Sequence, residues 1–266
     1  MEQKLHLEEH FDGQCLRWKF VRAHKRNALG DQVFKELDQS LRKLENRCKQ
    51  WLASPNKIQA PAKALLIEAD IGNFENPVWI SGGDLKEHAA KNAREGKIYI
   101  ANYTKLCTRF EKLPLPIIMS IDGAVIGGGI ELALSADLRF ATRRSRFDFR
   151  QTDIGLATGF GGGKRLVECV GRSRSSYWLL TSQVLSAEDL LQEGLVHELA
   201  DDQLELRILT EKYVQNLCIK ETRALAVQKQ MLLYVSLASA NPKRELSLFQ
   251  SLWKNETHKK TLERFT

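Results

Sequence analysis

Apolar residues alternate with polar ones over residues 15–21, and from 29 to 51 they recur at helical spacing through Val33, Leu37, Leu41 and Leu44. A period of two followed by a period near 3.6 predicts a strand and then an amphipathic helix. Residues 54–61 form a polar, proline-bearing link, and the apolar run at 64–69 predicts a short buried strand. Asp84 is placed to cap a helix over 85–95, with a second helical stretch over 98–113 stopped by Pro114 and Pro116. The pattern then repeats: a strand-length run at 117–124 broken by Gly123, a triple glycine at Gly127, Gly128 and Gly129, and a helix over 130–136. Strands are expected at 138–142 and 146–150, followed by a glycine cluster at 155–163 and a helix beginning at 164–170. From Ser173 onward the reading is mostly helical, and 221–265 has helical periodicity with Phe249 and Trp253 on one face. Strand–helix units followed by a helical last third predict an α/β fold with an appended helical region.

With 266 residues, 43% of them hydrophobic, the chain is long enough for a full core. Five cysteines, Cys15, Cys48, Cys107, Cys169 and Cys218, are odd in number and lack metal-ligand spacing. They read as packing residues in a reducing, cytoplasmic setting, with no metal site. Acidic residues near the N-terminus and the absence of a long apolar run predict neither a signal peptide nor a membrane span. A net charge of +7 favours anionic partners, which include nucleic acid and phosphate-bearing small molecules. Ordinary aromatic content and the lack of an aromatic-rich strand motif argue against nucleic acid.

The chemistry concentrates at two turns. In residues 118–132 a strand runs into three glycines and then a helix, whose first amides lack intrahelical partners, so a ligand oxygen can approach the backbone there. Glu131 follows Gly128 by three residues, close to one helical turn, and can project an acid on the same side. The turn Ser81-Gly82-Gly83-Asp84-Leu85-Lys86 also passes from an apolar stretch into a helix. Two such turns can supply two convergent N–H donors. His24 and His88 near them read as surface histidines, and the Arg143, Arg144, Arg146 group as a solvated turn.

Taken in order, four segments resemble the crotonase (enoyl-CoA hydratase/isomerase) superfamily along nearly the whole chain. They are residues 22–29 with Asn27-Ala28-Leu29, residues 81–86, residues 122–141 around Gly128 and Glu131, and residues 155–166. The resemblance implies a spiral of ββα repeats, with a catalytic core at 1–200 and a helical region at 201–266 that mediates a homotrimer or a dimer of trimers. It implies an acyl-CoA substrate, with coenzyme A arriving as part of that substrate and no separate cofactor. By position, it puts an oxyanion hole on the N–H groups of Gly83 and Gly128, and CoA contacts on Lys25, Arg26, Ala28, Asp84 and Leu85.

One departure bears on the reaction. The hydratases resembled here use two carboxylates; the first maps to Glu131, but the second maps to Gln151, an amide that carries no titratable proton. Asp153 lies two residues on and would share a face with Gln151 if the segment were extended. Three readings stay open. Asp153 and Glu131 form an unusual hydratase or isomerase pair; Glu131 works with Gln151 in chemistry that needs one acid, such as bond migration or decarboxylation; or the chain binds acyl-CoA without turnover. The decarboxylation reading leans on a likeness to the ethylmalonyl/methylmalonyl-CoA decarboxylase branch, through the run after Phe149, the Ser81 turn and Trp253.

Overall fold

The computed structural model describes residues 6–10 and 14–236. In chain order it runs β1 (His6–His10), β2 (Cys15–Phe20), α1 (Asp31–Ala53), β3 (Ala64–Ala69), β4 (Val78–Ile80), α2 (Leu85–Ala89) and α3 (Ala93–Lys112). It continues with β5 (Ile117–Ile121), β6 (Ala124–Ile126), α4 (Gly128–Ala133), β7 (Leu138–Thr142), β8 (Arg146–Asp148) and α5 (Gly162–Leu180). The last elements are β9 (Val184–Ser186), α6 (Ala187–Gln192), β10 (Glu198–Ala200), α7 (Gln203–Cys218) and α8 (Thr222–Ser236).

Successive strands divide between two sheets. The larger has the order β1-β2-β3-β5-β7-β10 and the smaller β4-β6-β8-β9. Thus β3, β5 and β7 build one layer while the strands that directly follow them, β4, β6 and β8, build the other, each set parallel.

The strand β3 explains how the core splits. Its residues are nearly all buried, and because side chains alternate across a sheet they feed two separate clusters. Leu65 and Ile67 join the main core with Trp18, Phe110 and Ile117. Ala64 and Leu66 face the other way, against Leu206 and Val214 of α7. On α1, the buried residues Val33, Leu37, Leu41, Leu44, Cys48 and Trp51 form the expected apolar stripe.

Several expected elements differ in extent. The helix after Asp84 ends at Ala89, and a new one starts at Ala93. Asn92 and Glu95 form a capping box there, an N-terminal signal that starts the second helix inside the stretch expected to belong to the first. The short strands β9 and β10 interrupt the stretch read as helical from Ser173, because three-residue strands carry too little periodicity to register. Strand β1 pairs antiparallel with β2 at the sheet edge. Cys15, Cys48 and Cys107 are buried as expected, but Cys169 is exposed, and all five thiols are free. The region holding Phe249 and Trp253 lies outside the described residues.

Lys229 carries α8 onto the core. It is 6% exposed, its ammonium donates to Leu115 O at 2.9 Å and to the Asp137 carboxylate at 2.7 Å, and Asp137 also accepts from Ile117 N. No helix among the described residues is long and apolar enough to cross a membrane, and no group of three metal-ligating side chains comes together among them.

Candidate active site

Strands β4, β6 and β8 are parallel neighbours, so the loops that leave their C-terminal ends emerge on one side. These loops carry Gly83, then Gly128 with Glu131, then Gln151. The sheet order alone therefore assembles residues separated by almost seventy positions in the chain.

The first two turns touch. Gly82 has φ of +83°, a conformation open to glycine, and a Cβ added to it would lie 2.7 Å from Ile126 O and 3.0 Å from Gly128 N. Gly127, at φ +49° and ψ −111°, turns the chain from β6 into α4 with a similar demand. Neither Gly83 N–H nor Gly128 N–H has a hydrogen-bond partner among the described residues.

Glu131 sits behind them, 3% exposed. Its Oε1 accepts from Gly159 N at 3.0 Å and from Gln151 Nε2 at 3.4 Å; its Oε2 accepts from Phe160 N at 2.7 Å and Gly162 N at 2.9 Å. A carboxylate has about four acceptor positions, and these four donors fill them. The glycine-rich loop is thus wound around this side chain: a Cβ on Gly162 would lie 2.3 Å from Glu131 Cγ. Gln151 is buried, and its Oε1 has no hydrogen-bond partner among the described residues.

An aromatic arc covers the two turns. The Phe160 ring lies over Gly128, stacks on Tyr103 at 4.6 Å, and meets Tyr99 at 5.9 Å. Tyr99 meets the His88 imidazole edge-on at 4.5 Å, and His88 stands over Gly83. The hydroxyls of Tyr99 and Tyr103 donate to Leu29 O and Gly30 O, and burial raises both phenols well above their ordinary range.

A family model described as enoyl-CoA hydratase/isomerase matches residues 71–266. The chain belongs to that family, within the crotonase superfamily. It is 30% identical over 175 residues to a short-chain-enoyl-CoA hydratase of Clostridium acetobutylicum, covering 66% of this chain and 61% of that protein. It is 29% identical over 184 residues to Delta(3,5)-Delta(2,4)-dienoyl-CoA isomerase of Rattus norvegicus, covering 68% and 54%. The chain spans a little under two thirds of the length of the curated relatives it matches, 61%, 66% and 58% for three of them. An enoyl-CoA hydratase from Bacillus anthracis superposes with a TM-score of 0.84 at 20% identity over 99% of this chain and 96% of that one, a likeness of fold.

The crotonase motif around Asn27 has a structural job here. Asn27 is 1% exposed, and its side chain accepts from Arg22 N and donates to Asp70 O and Trp79 O, tying the loop to the ends of β3 and β4. Leu29 N donates to Gly82 O at 2.7 Å and Ser81 N to Arg26 O at 3.1 Å, which fixes the loop beside the Gly83 turn. Lys25 and Arg26 are exposed on it, and a cavity of about 270 Å³ lies between Arg26 and Ile71, Phe74 and Val78. Ala28 is buried, and its carbonyl accepts from Arg22. Asp84 caps α2 and faces Arg22 at 3.5 Å, while Leu85 is 60% exposed.

Asp153 requires a correction. The segment is a 3₁₀ turn over Thr152–Ile154, closed by Gly155 in the left-handed region, so the extended geometry that would align Asp153 with Gln151 is absent. Gln151 points inward to Glu131; Asp153 is exposed. His88 also departs from expectation. His24 is exposed, but His88 is half-buried, with a buried Nε2 that has no hydrogen-bond partner. The signal was present in its spacing, since His88 falls one turn into the helix that Asp84 caps and returns to the Gly83 side. The arginine group is less solvated than expected, because Arg144 makes a bidentate pair with buried Asp122 at 2.7 Å on each arm.

Proposed function

We propose that this chain is an acyl-CoA-processing enzyme that holds a CoA thioester carbonyl between the N–H groups of Gly83 and Gly128 and stabilises the enolate formed there. The observation that carries this reading is the adjacent exit of two glycine turns from paired parallel strands, both N–H groups without partners. Such a donor contributes about 3 kcal/mol to a transition state that places charge on the oxygen. Exposed Lys25 and Arg26, beside the cavity at Ile71 and Phe74, suit the anionic nucleotide end of coenzyme A. The C-terminal helices would mediate a trimer or a dimer of trimers, and a monomeric mass in sedimentation would contradict that part.

The reaction class follows from what stands opposite the carbonyl. Water addition through two carboxylates lacks its second member, because Gln151 occupies that place and Asp153 is exposed. Enolate chemistry with a single proton carrier, double-bond migration above all, needs only the hole and one such group. A second reading, acyl-CoA binding without turnover, is favoured by one observation: every acceptor position of Glu131 is taken up by a neighbouring donor. Incubation with 2-enoyl-, 3-enoyl- and malonyl-type CoA esters, followed by mass spectrometry and NMR of the products, tests both. Conversion of the 3-enoyl ester to its 2-enoyl isomer is expected. A 3-hydroxyacyl product as the main outcome would refute bond migration, loss of CO₂ would move the assignment to a decarboxylase, and binding without any product would favour the second reading.

A further inference from the structure

Glu131, which family resemblance nominates as proton carrier, is held by three main-chain N–H groups and by Gln151. Gln151 carries no titratable proton. Tyr99 and Tyr103 spend their hydroxyl protons on main-chain carbonyls, and Cys107 is buried in the core with its thiol pushed up to about 12 by desolvation. His88 stands apart from all of these. Its Nε2 is buried and unpartnered, and it lies 2.9 Å from where a Cβ on Gly83 would be, on the same turn as one of the two carbonyl donors. A buried polar atom without a partner is costly, and in a native site it points to a ligand that completes it.

We infer that His88, through Nε2, is the proton-transfer group for the α-carbon of a thioester bound at Gly83 and Gly128. This rests on the reading of the site given above. In the step, neutral Nε2 takes the α-proton as the C–H bond breaks; the electron pair forms the enolate, whose charge sits on the oxygen held by the two N–H groups. The imidazolium then returns the proton to the α-carbon, giving exchange, or to the γ-carbon, giving migration of a 3,4-double bond to the 2,3-position. The carbonyl re-forms, the imidazole is again neutral, and no co-reactant is consumed.

The surroundings keep the ring in the neutral form that this step begins with. Burial lowers the His88 pKa below its ordinary 6.5, Lys91 lowers it further, and Asp84, Glu87 and Asp31 oppose them. Arg22 pairs with Asp84 at 3.5 Å and with Glu87 at 3.9 Å, and Tyr99, whose hydroxyl donates to Leu29 O, meets the ring edge-on.

The test uses butyryl-CoA, which has α-protons and no double bond, in deuterated buffer. Calorimetry reports its binding and NMR its α-proton exchange, for the wild type and His88→Gln. The wild type is expected to bind and exchange, with a rate that rises with pH through a value below 6.5 and then levels. His88→Gln should still bind but exchange a hundredfold or more slowly, with that pH step gone. Exchange by His88→Gln within threefold of wild type, or wild-type binding with no exchange, overturns the role of His88 and leaves the carbonyl site standing. Absence of wild-type binding overturns both. Should His88→Gln fail to fold, His88→Asn takes its place and is read by the same threefold limit, and a wild-type rate that falls as pH rises from 5 to 8 also overturns the inference.

Discussion

Glu131→Gln separates a structural anchor from a mere proton carrier, and its cost can be worked from the hydrogen bonds. Glutamine keeps the size of the side chain but replaces one oxygen with NH₂. Placed on the Oε2 side, that NH₂ would confront the N–H groups of both Phe160 and Gly162. Placed on the Oε1 side it confronts Gly159 N alone, because Gln151 can rotate its amide and accept through the Oε1 that now has no partner. The cheaper arrangement still loses one charge-assisted bond, leaves a part-buried N–H unpaired and makes the remaining bonds neutral. Together this amounts to about 2–4 kcal/mol. Urea unfolding followed by tryptophan fluorescence should show a midpoint lower by about 1 M, given a slope of about 3 kcal/mol/M for a chain of this size. Limited proteolysis should cut the 155–163 loop faster in the variant. A midpoint within about 0.2 M of wild type, with equal loop cleavage, would refute the anchoring role.

Asp153→Asn should leave turnover within twofold of wild type, since the side chain is exposed on a 3₁₀ turn; a hundredfold loss would restore the paired-carboxylate reading. Lys229→Met should destabilise the fold by about 3 kcal/mol, toward the low end for breaking a buried ion pair because Asp137 is about one third exposed, and denaturant midpoints would reveal no change if α8 docks by other means.

Much of the fold could be read from local patterns. The stripe from Val33 to Leu44 and the buried run at 64–69 each carry enough apolar residues at one period to mark a single element. The features that local pattern does not carry are either short or non-local. Three-residue strands such as Val184–Ser186 offer no period to detect, and the break at 90–92 depends on a capping box rather than on hydrophobicity. The site divided in the same way. Gly83, Gly128, Glu131 and Gln151 were visible because glycine turns and a departure from a family motif leave marks in the chain. The binding of Glu131 by Gly159, Phe160 and Gly162 joins segments 28 to 31 residues apart, and nothing in either segment announces it. Asp153 would share a face with Gln151 only in an extended segment, and Gly155 closes a helical turn there instead. His88 reads as a lone histidine in the chain, and its partial burial comes from Tyr99, on a different helix.

The carbonyl site itself can be probed with crotonyl-CoA carrying ¹³C at the thioester carbon, observed by NMR with increasing protein. Two N–H donors on the oxygen draw electron density from that carbon, so a saturable downfield shift is expected for the wild type. Gly82→Ala, whose Cβ would sit 2.7 Å from Ile126 O and 3.0 Å from Gly128 N, should abolish it. Saturable binding with the carbonyl resonance unmoved, or an undiminished shift in Gly82→Ala, would contradict the account.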